Sequence, residues 1–262
     1  MPQWIVNLMI TSMIFFPEKA FYEKPEDYGF QWEDVFVQTS DGVKIHGWFL
    51  RAQEEKGVLL FLHGNAGNIS GRLFKAKGWL ERGFSVFLVD YRSYGQSEGT
   101  IRHGEDIMRD AEAAFRWLEV EKKISPSRMI LYGESLGTYP VIRLAGQYRV
   151  AALILEAPYA SFRELASIHY AMIPGFLTEM LLSDFAFPNI DVIDKIKAPL
   201  LILHGDRDEV CPYEMGQRLF AKAPEPKVLF SIPSGTHNDL PAVAGEDYWE
   251  KPVEFVKKHL LL

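Results

Sequence analysis

Gly133-Glu134-Ser135-Leu136-Gly137 directly follows the apolar run MILY (129–132) and opens a helical pattern. A serine flanked by small residues at a strand-to-helix turn is held with its Oγ exposed, the placement a nucleophile needs. The turn is tight enough that side chains at 133 and 137 would clash, and the helix beginning there aims its positive end at a developing oxyanion. The chemistry this arrangement fits is acyl transfer through a covalent intermediate.

Such a serine needs a base, and the base needs a group to orient it. Seven histidines are available. His46 lies within a strand pattern, His169 in a long irregular insertion, and His103 and His259 on amphipathic helices. His63 and His204 end strands as His-Gly pairs. His237 stands in a late loop, SGTHND (234–239), after the last strand, and is the candidate base. The acid is placed in the loop Gly205-Asp206-Arg207-Asp208-Glu209, whose position gives the chain order serine, acid, histidine. Spacing alone leaves Asp206 and Asp208 both open, with Glu209 a competitor by proximity. The tetrahedral oxyanion requires backbone N–H donors, one from Leu136 and the other from the loop His63-Gly64-Asn65-Ala66-Gly67-Asn68, where Asn65 is the candidate. No Lys-Ser/Thr pair follows that loop, so it is not a phosphate cradle.

Around this constellation, Tyr91 and Tyr94 in DYRSYGQSEG (90–99) are candidates for lining the substrate pocket, together with Tyr159 and Phe162. Glu134 and Glu156 could read a substrate amine, or be ordinary hydrogen-bonded glutamates. There is no H-E-x-x-H pattern, and neither a metal nor a cofactor is implied. Cys211 beside Pro212 is expected to be a buried, inert thiol.

The elements that must hold these residues follow from hydrophobic periodicity. Strands are predicted at 35–37, 44–49, 58–63, 85–90, 129–132, 152–156, 199–204 and 227–232. The first two alternate apolar with polar around Asp41-Gly42, a hairpin signal. The later ones are continuously apolar, as in a sheet buried on both faces. Helical patterns at 105–121, 135–147, 212–223 and 248–261 lie between and after these strands, which predicts a mainly parallel, doubly wound sheet of about eight strands flanked by helices. The segment 157–198 is too long for an ordinary crossover and is predicted to form a small helical cap over the site. No repeat interrupts the pattern, and the chain is read as one domain spanning 1–262.

Composition agrees with an ordinary globular chain: 262 residues, 48% apolar and 24% charged. A net charge of −7 without a cluster of Lys and Arg argues against a nucleic-acid partner. One cysteine permits no internal disulfide, which points to a reducing, cytoplasmic setting. Residues 1–17 carry no charge, yet they fall short of the roughly 20 apolar residues a membrane-spanning helix needs. Residues 1–16 are expected to form an apolar helix against the domain near the site, with a peripheral membrane contact as the further expectation.

HGNAGN, DYRSYGQSEG, GESLG, HGDRDEVCP and GTHND, in that order, resemble the α/β-hydrolase superfamily, and within it the serine-aminopeptidase-like or Bem-type branch of esterases and depalmitoylase-like hydrolases. The resemblance runs from about Phe15 to the C-terminus. It implies that the acid is Asp208, the fifth residue of the H-G-x-x-D motif, and it supports His237. Relatives often carry an anchoring helix before the FFPE-like segment, which here is shortened. The activity expected is that of a serine carboxylesterase working through an acyl-enzyme on Ser135, and the short cap, with no large lid domain, favours small or short-acyl esters. A membrane-associated acyl-thioesterase or lipid hydrolase is the alternative; a peptidase or a non-catalytic binder stands further off.

Overall fold

The computed structural model describes residues 11–169 and 182–260. Eight strands form one sheet: β1 (Gln31–Gln38), β2 (Lys44–Arg51), β3 (Gly57–Leu62), β4 (Phe84–Asp90), β5 (Met129–Glu134), β6 (Ala152–Glu156), β7 (Leu200–Gly205) and β8 (Lys227–Ile232). Their spatial order is β8-β7-β6-β5-β3-β4-β2-β1. β1 and β2 form an antiparallel hairpin, β2 pairs antiparallel with β4, and every other pairing is parallel.

The hairpin turns where the sequence predicts it. Gly42 has φ 82°, and Thr39 Oγ1 donates to the Asp41 carboxylate at 2.6 Å. Along β1 only Val35 and Val37 are buried, as alternation requires for an edge strand, whereas β3 and β4 are buried throughout. Helices cover both faces. α2 (Gly104–Val120) and α3 (Thr138–Gln147) bring Ala111, Phe115 and Val141 into one core with Val58, Leu60 and Leu62, and α5 (Tyr213–Lys222) adds Leu219 to it beside β7 and β8. On the opposite face, α1 (Leu73–Leu80) and α7 (Asp247–His259) pack Leu73, Trp79, Val253 and Val256 against Leu59 and Phe61. A short α6 (Leu240–Ala244) precedes α7, and α4 (Phe162–His169) follows β6.

Two segments differ from expectation. α1 is absent from the sequence reading, because its apolar face is interrupted by Lys75, Lys77 and Gly78. Of the insertion 157–198, residues 170–181 lie outside the described residues. The remainder divides: α4 stands over the site, while Phe185, Phe187, Ile193, Ile196 and Ala198 are buried in the main core through short 3₁₀ turns. That second half is therefore body rather than cap, since its apolar side chains fill the face below α3.

Residues 1–10 also lie outside the described residues; residues 11–14 are helical. Ile14 and Phe15 are buried, and Phe15 meets Phe185 edge-on at 5.8 Å. Phe16–Pro17 then pairs in parallel with Ala66–Gly67. Among the described residues no helix is long and apolar enough to cross a membrane.

Candidate active site

Strand order places the chemistry. β3 and β5 are hydrogen-bonded neighbours, so the loop 63–68 and the turn at Ser135 emerge side by side at their C-terminal ends. β7 and β8 are likewise neighbours, and the loops carrying Asp208 and His237 emerge together. The crevice outside the carboxyl ends of a parallel sheet is where such folds bind ligands.

Ser135 occupies the left-handed region with φ 48°, a conformation costing roughly 1–3 kcal/mol for a residue with a side chain. The neighbouring glycines make the turn sterically feasible. A Cβ on Gly133 would sit 2.5 Å from the Gly137 carbonyl oxygen, and one on Gly137 would sit 2.0 Å from that of Leu62. Thr138 Oγ1 donates to the Ser135 carbonyl at 2.6 Å and closes the turn.

His237 Nδ1 lies 2.8 Å from Asp208 Oδ2. With the proton on Nδ1 directed to the carboxylate, Nε2 is the free base. The other Asp208 oxygen accepts from the amides of Val210 (2.9 Å) and Cys211 (2.7 Å), and His204 Nε2 stands 3.4 Å from Oδ2. Burial pushes the Asp208 carboxyl up, but the hydrogen bonds from His204, His237 and the Cys211 amide together hold it below the ordinary carboxylate range. Asp206 faces elsewhere and accepts from the Ser234 amide at 2.7 Å, pinning the histidine loop from outside. Geometry therefore separates the two aspartates that spacing could not.

Ser135, His237, Leu136 and Asn65 line one cavity of about 280 Å³. Its apolar walls are Ile14, Phe15, Phe16, Tyr159, Phe162, Leu165 and Val210. Tyr159 and Phe162 thus lie where the sequence reading puts them. Tyr91 and Tyr94 do not. Both are fully buried behind the loop 63–68, where Tyr91 Oη donates to the His63 carbonyl (3.0 Å) and Tyr94 Oη to that of Asn65 (2.6 Å). Their hydroxyls satisfy carbonyls that a tight glycine-containing loop would otherwise bury unpaired. His63 Nδ1 donates to the Gly64 carbonyl at 2.6 Å, and the Asn65 side chain donates to the Ile14 carbonyl at 2.6 Å. The N-terminal segment is therefore bonded to the same loop that offers the Asn65 amide.

Glu134 and Glu156 are fully engaged. Arg72 and Lys75 donate to Glu134 at 2.9 and 2.7 Å, and Lys75 also donates to Glu156 at 2.9 Å. Tyr132 and Tyr248 donate their hydroxyls to the far oxygen of Glu156. Burial pushes the Glu134 carboxyl up and the Lys75 ammonium down, yet the mutual charges reverse both, so the group remains ionised. Sequence reasoning missed Arg72 and Lys75. Their carboxylate partners lie 59 to 81 positions away, and nothing local marks them. Cys211 is buried, and burial first and the Asp208 charge second push its thiol well above the usual range.

A hydroxyl on a strained turn, an imidazole aligned by a carboxylate, and an amide-bearing loop facing one cavity can together carry acyl transfer. A family model described as serine aminopeptidase, S33, matches residues 53–192. The chain is 33% identical over 258 residues to the α/β-hydrolase domain-containing protein WAV2 of Arabidopsis thaliana, covering 92% of this chain and 83% of that one. It is 34% identical over 231 residues to the human α/β-hydrolase domain-containing protein 17B, with 87% and 76% covered. Among solved structures, the Pyrococcus furiosus esterase Pf2001 superposes with a TM-score of 0.75 at 21% identity, covering 94% of this chain and 100% of that chain.

Proposed function

The chain belongs to the serine aminopeptidase S33 family and is a hydrolase of the α/β-hydrolase fold, and from that premise we propose that it is a cofactor-independent serine esterase acting on small or short-acyl carboxylic esters. The observation that carries this reading is the Asp208–His237 pair facing, with the strained Ser135, a single cavity of about 280 Å³.

His237 Nε2 takes the Ser135 proton as Oγ attacks the ester carbonyl, and Asp208 stabilises the imidazolium that forms. The Leu136 and Asn65 amides receive the oxyanion. Collapse of the tetrahedral intermediate expels the alcohol, which takes its proton from His237, and leaves an acyl group on Ser135. Water then attacks the acyl carbonyl while His237 takes its proton, and the second tetrahedral intermediate collapses to release the acid as His237 returns that proton to Ser135 Oγ. A cavity near the lower end of the about 300–1,000 Å³ range of ligand pockets favours a short acyl group.

Ser135→Ala should lower kcat for p-nitrophenyl butyrate by roughly 10⁵–10⁶-fold; retention of wild-type turnover would overturn the reading. The thioesterase or lipid-hydrolase alternative draws on Phe16 and Val210, cavity-lining residues that are 56% and 41% exposed. A series of acyl lengths separates the two, because rates still rising beyond about ten carbons require an apolar mouth outside the cavity. The peptidase reading is weakened by Glu134 and Glu156, whose oxygens are already paired and cannot read a substrate amine without breaking buried ion pairs.

A further inference from the structure

The two amides expected to receive the oxyanion lie on separate pieces of chain: Leu136 on the turn after β5, and Asn65 on the loop after β3. Their separation must be fixed to within a fraction of an ångström for both to meet one oxygen. One side chain spans the two pieces. Arg72 Nη1 donates to the Ala66 carbonyl at 2.8 Å and lies 3.4 Å from that of Asn68, while Nη2 donates to Glu134 Oε1 at 2.9 Å. Glu134 is the residue immediately before Ser135, and its second oxygen is held by Lys75 at 2.7 Å.

We propose that Arg72 is a positioning residue of the oxyanion hole, its guanidinium clamping loop 64–68 to the turn that carries Ser135. This rests on the esterase reading above. The planar fork suits the task, because two nitrogens of one rigid group address two chain segments at once, which an ammonium cannot do with fixed geometry. The close fit around it is visible at Gly64. A Cβ there would stand 2.9 Å from Glu134 Oε1, 3.5 Å from Arg72 Nη2 and 3.5 Å from Ser135 Cβ, so the loop lies directly against the ion pair and the nucleophile. The Arg72 charge adds little net field at the oxyanion, because Glu134 sits against it, just as Glu156 offsets Lys75. What the clamp supplies is distance and direction.

A clamp of this kind acts in the transition state and leaves ground-state binding almost untouched. Arg72→Gln should therefore lower kcat for p-nitrophenyl butyrate by about 10–100-fold with KM changed by less than about threefold. The affinity for a short alkylboronic acid, which places a tetrahedral anion on Ser135, should fall by a similar factor. Arg72→Lys, which keeps the charge but loses the fork, should recover less than half of the logarithmic loss. Thermal unfolding of each variant is followed alongside, and if Arg72→Gln does not fold, Arg72→Lys carries the comparison. A kcat within twofold of wild type overturns the proposal, as does a loss confined to KM, which would make Arg72 a substrate contact, or full recovery in Arg72→Lys, which would make charge alone sufficient. Ser135→Ala run in parallel keeps the two readings apart. If it retains turnover, the esterase reading fails; if it is inactive while Arg72→Gln matches wild type, only the clamp fails.

Discussion

The nucleophile side and the acid–base side of the cavity are immobilised by different chemistry. Around Ser135 the fixing groups are full charges: Arg72, Lys75, Glu134 and Glu156, two cations against two anions, with side chains 15% exposed or less. Around His237 they are neutral donors and short loops. Asp208 is held by two amides and two imidazoles, and the histidine loop by Asp206 on the Ser234 amide and Asp239 on the Thr236 amide. The difference matches the demands on each side. The nucleophile side must stay still while charge appears on a substrate oxygen, and a balanced set of buried ion pairs gives stiffness without a large net field. The acid–base side must itself gain and lose a proton. A fixed cation beside Asp208 would compete with the imidazolium that forms during attack, whereas amides and imidazoles hold the carboxylate without that competition.

Variants on the two sides should therefore fail in different ways. After the loss of the nucleophile itself, the largest effect is expected from Asp208→Asn, which should lower kcat by about 10⁴-fold with the fold retained, read by ester turnover alongside circular dichroism. Next is Lys75→Met, of similar volume, which leaves two buried carboxylates with Arg72 as the remaining cation. It should cost about 3–5 kcal/mol of stability, measured by urea unfolding. A kinetic defect at unchanged stability would erase the contrast between the two sides.

Acidification sharpens the comparison further. The Glu134 and Asp208 carboxyls are both held lower in the folded chain than in the unfolded one. Their contribution to stability is complete above the unfolded carboxylate pKa, near about 4, and is lost as pH falls through that value and below. Urea midpoints should drop on going from pH 6 to pH 3, and Glu134→Gln and Asp208→Asn should each flatten that drop.

Smaller effects test the supporting groups. Tyr94→Phe removes the hydroxyl on the Asn65 carbonyl and should cost about 1 kcal/mol of stability, with a few-fold loss of kcat. Asp206→Asn, altering an exposed hydrogen bond to Ser234, should leave turnover within about threefold of wild type. A large loss there would mean that Asp206, rather than Asp208, supports the base.

Much of this arrangement is legible in the residues alone, and the reason differs from element to element. The sheet is readable because β3 to β7 are runs of apolar residues with few competing interpretations, and the turn at Ser135 because glycines must stand on both sides of it. The loops for Asp208 and His237 follow from chain order, yet choosing between Asp206 and Asp208 required the side-chain directions seen in the structure or a resemblance to relatives. Lys75 illustrates what is not readable. On α1 it looks like a surface lysine, and it is buried only because two carboxylates from β5 and β6 meet it there. Tyr91 and Tyr94 mislead for the opposite reason. Their polar, aromatic loop resembles a pocket lining, but their hydroxyls are consumed by the carbonyls of His63 and Asn65. Amphipathic rings satisfy both roles equally well, and only the fold decides between them.

Cys211 gives the molecule a reporter of its own motions. The chain has a single thiol, it is buried beside the loop that holds Asp208, and it is kept protonated there. A maleimide therefore finds no thiolate in the closed form, and its uptake counts openings of the Asp208 loop or of the whole fold. Ester turnover and maleimide uptake, followed in one sample without any engineered label, would relate the frequency of these openings to the rate of catalysis.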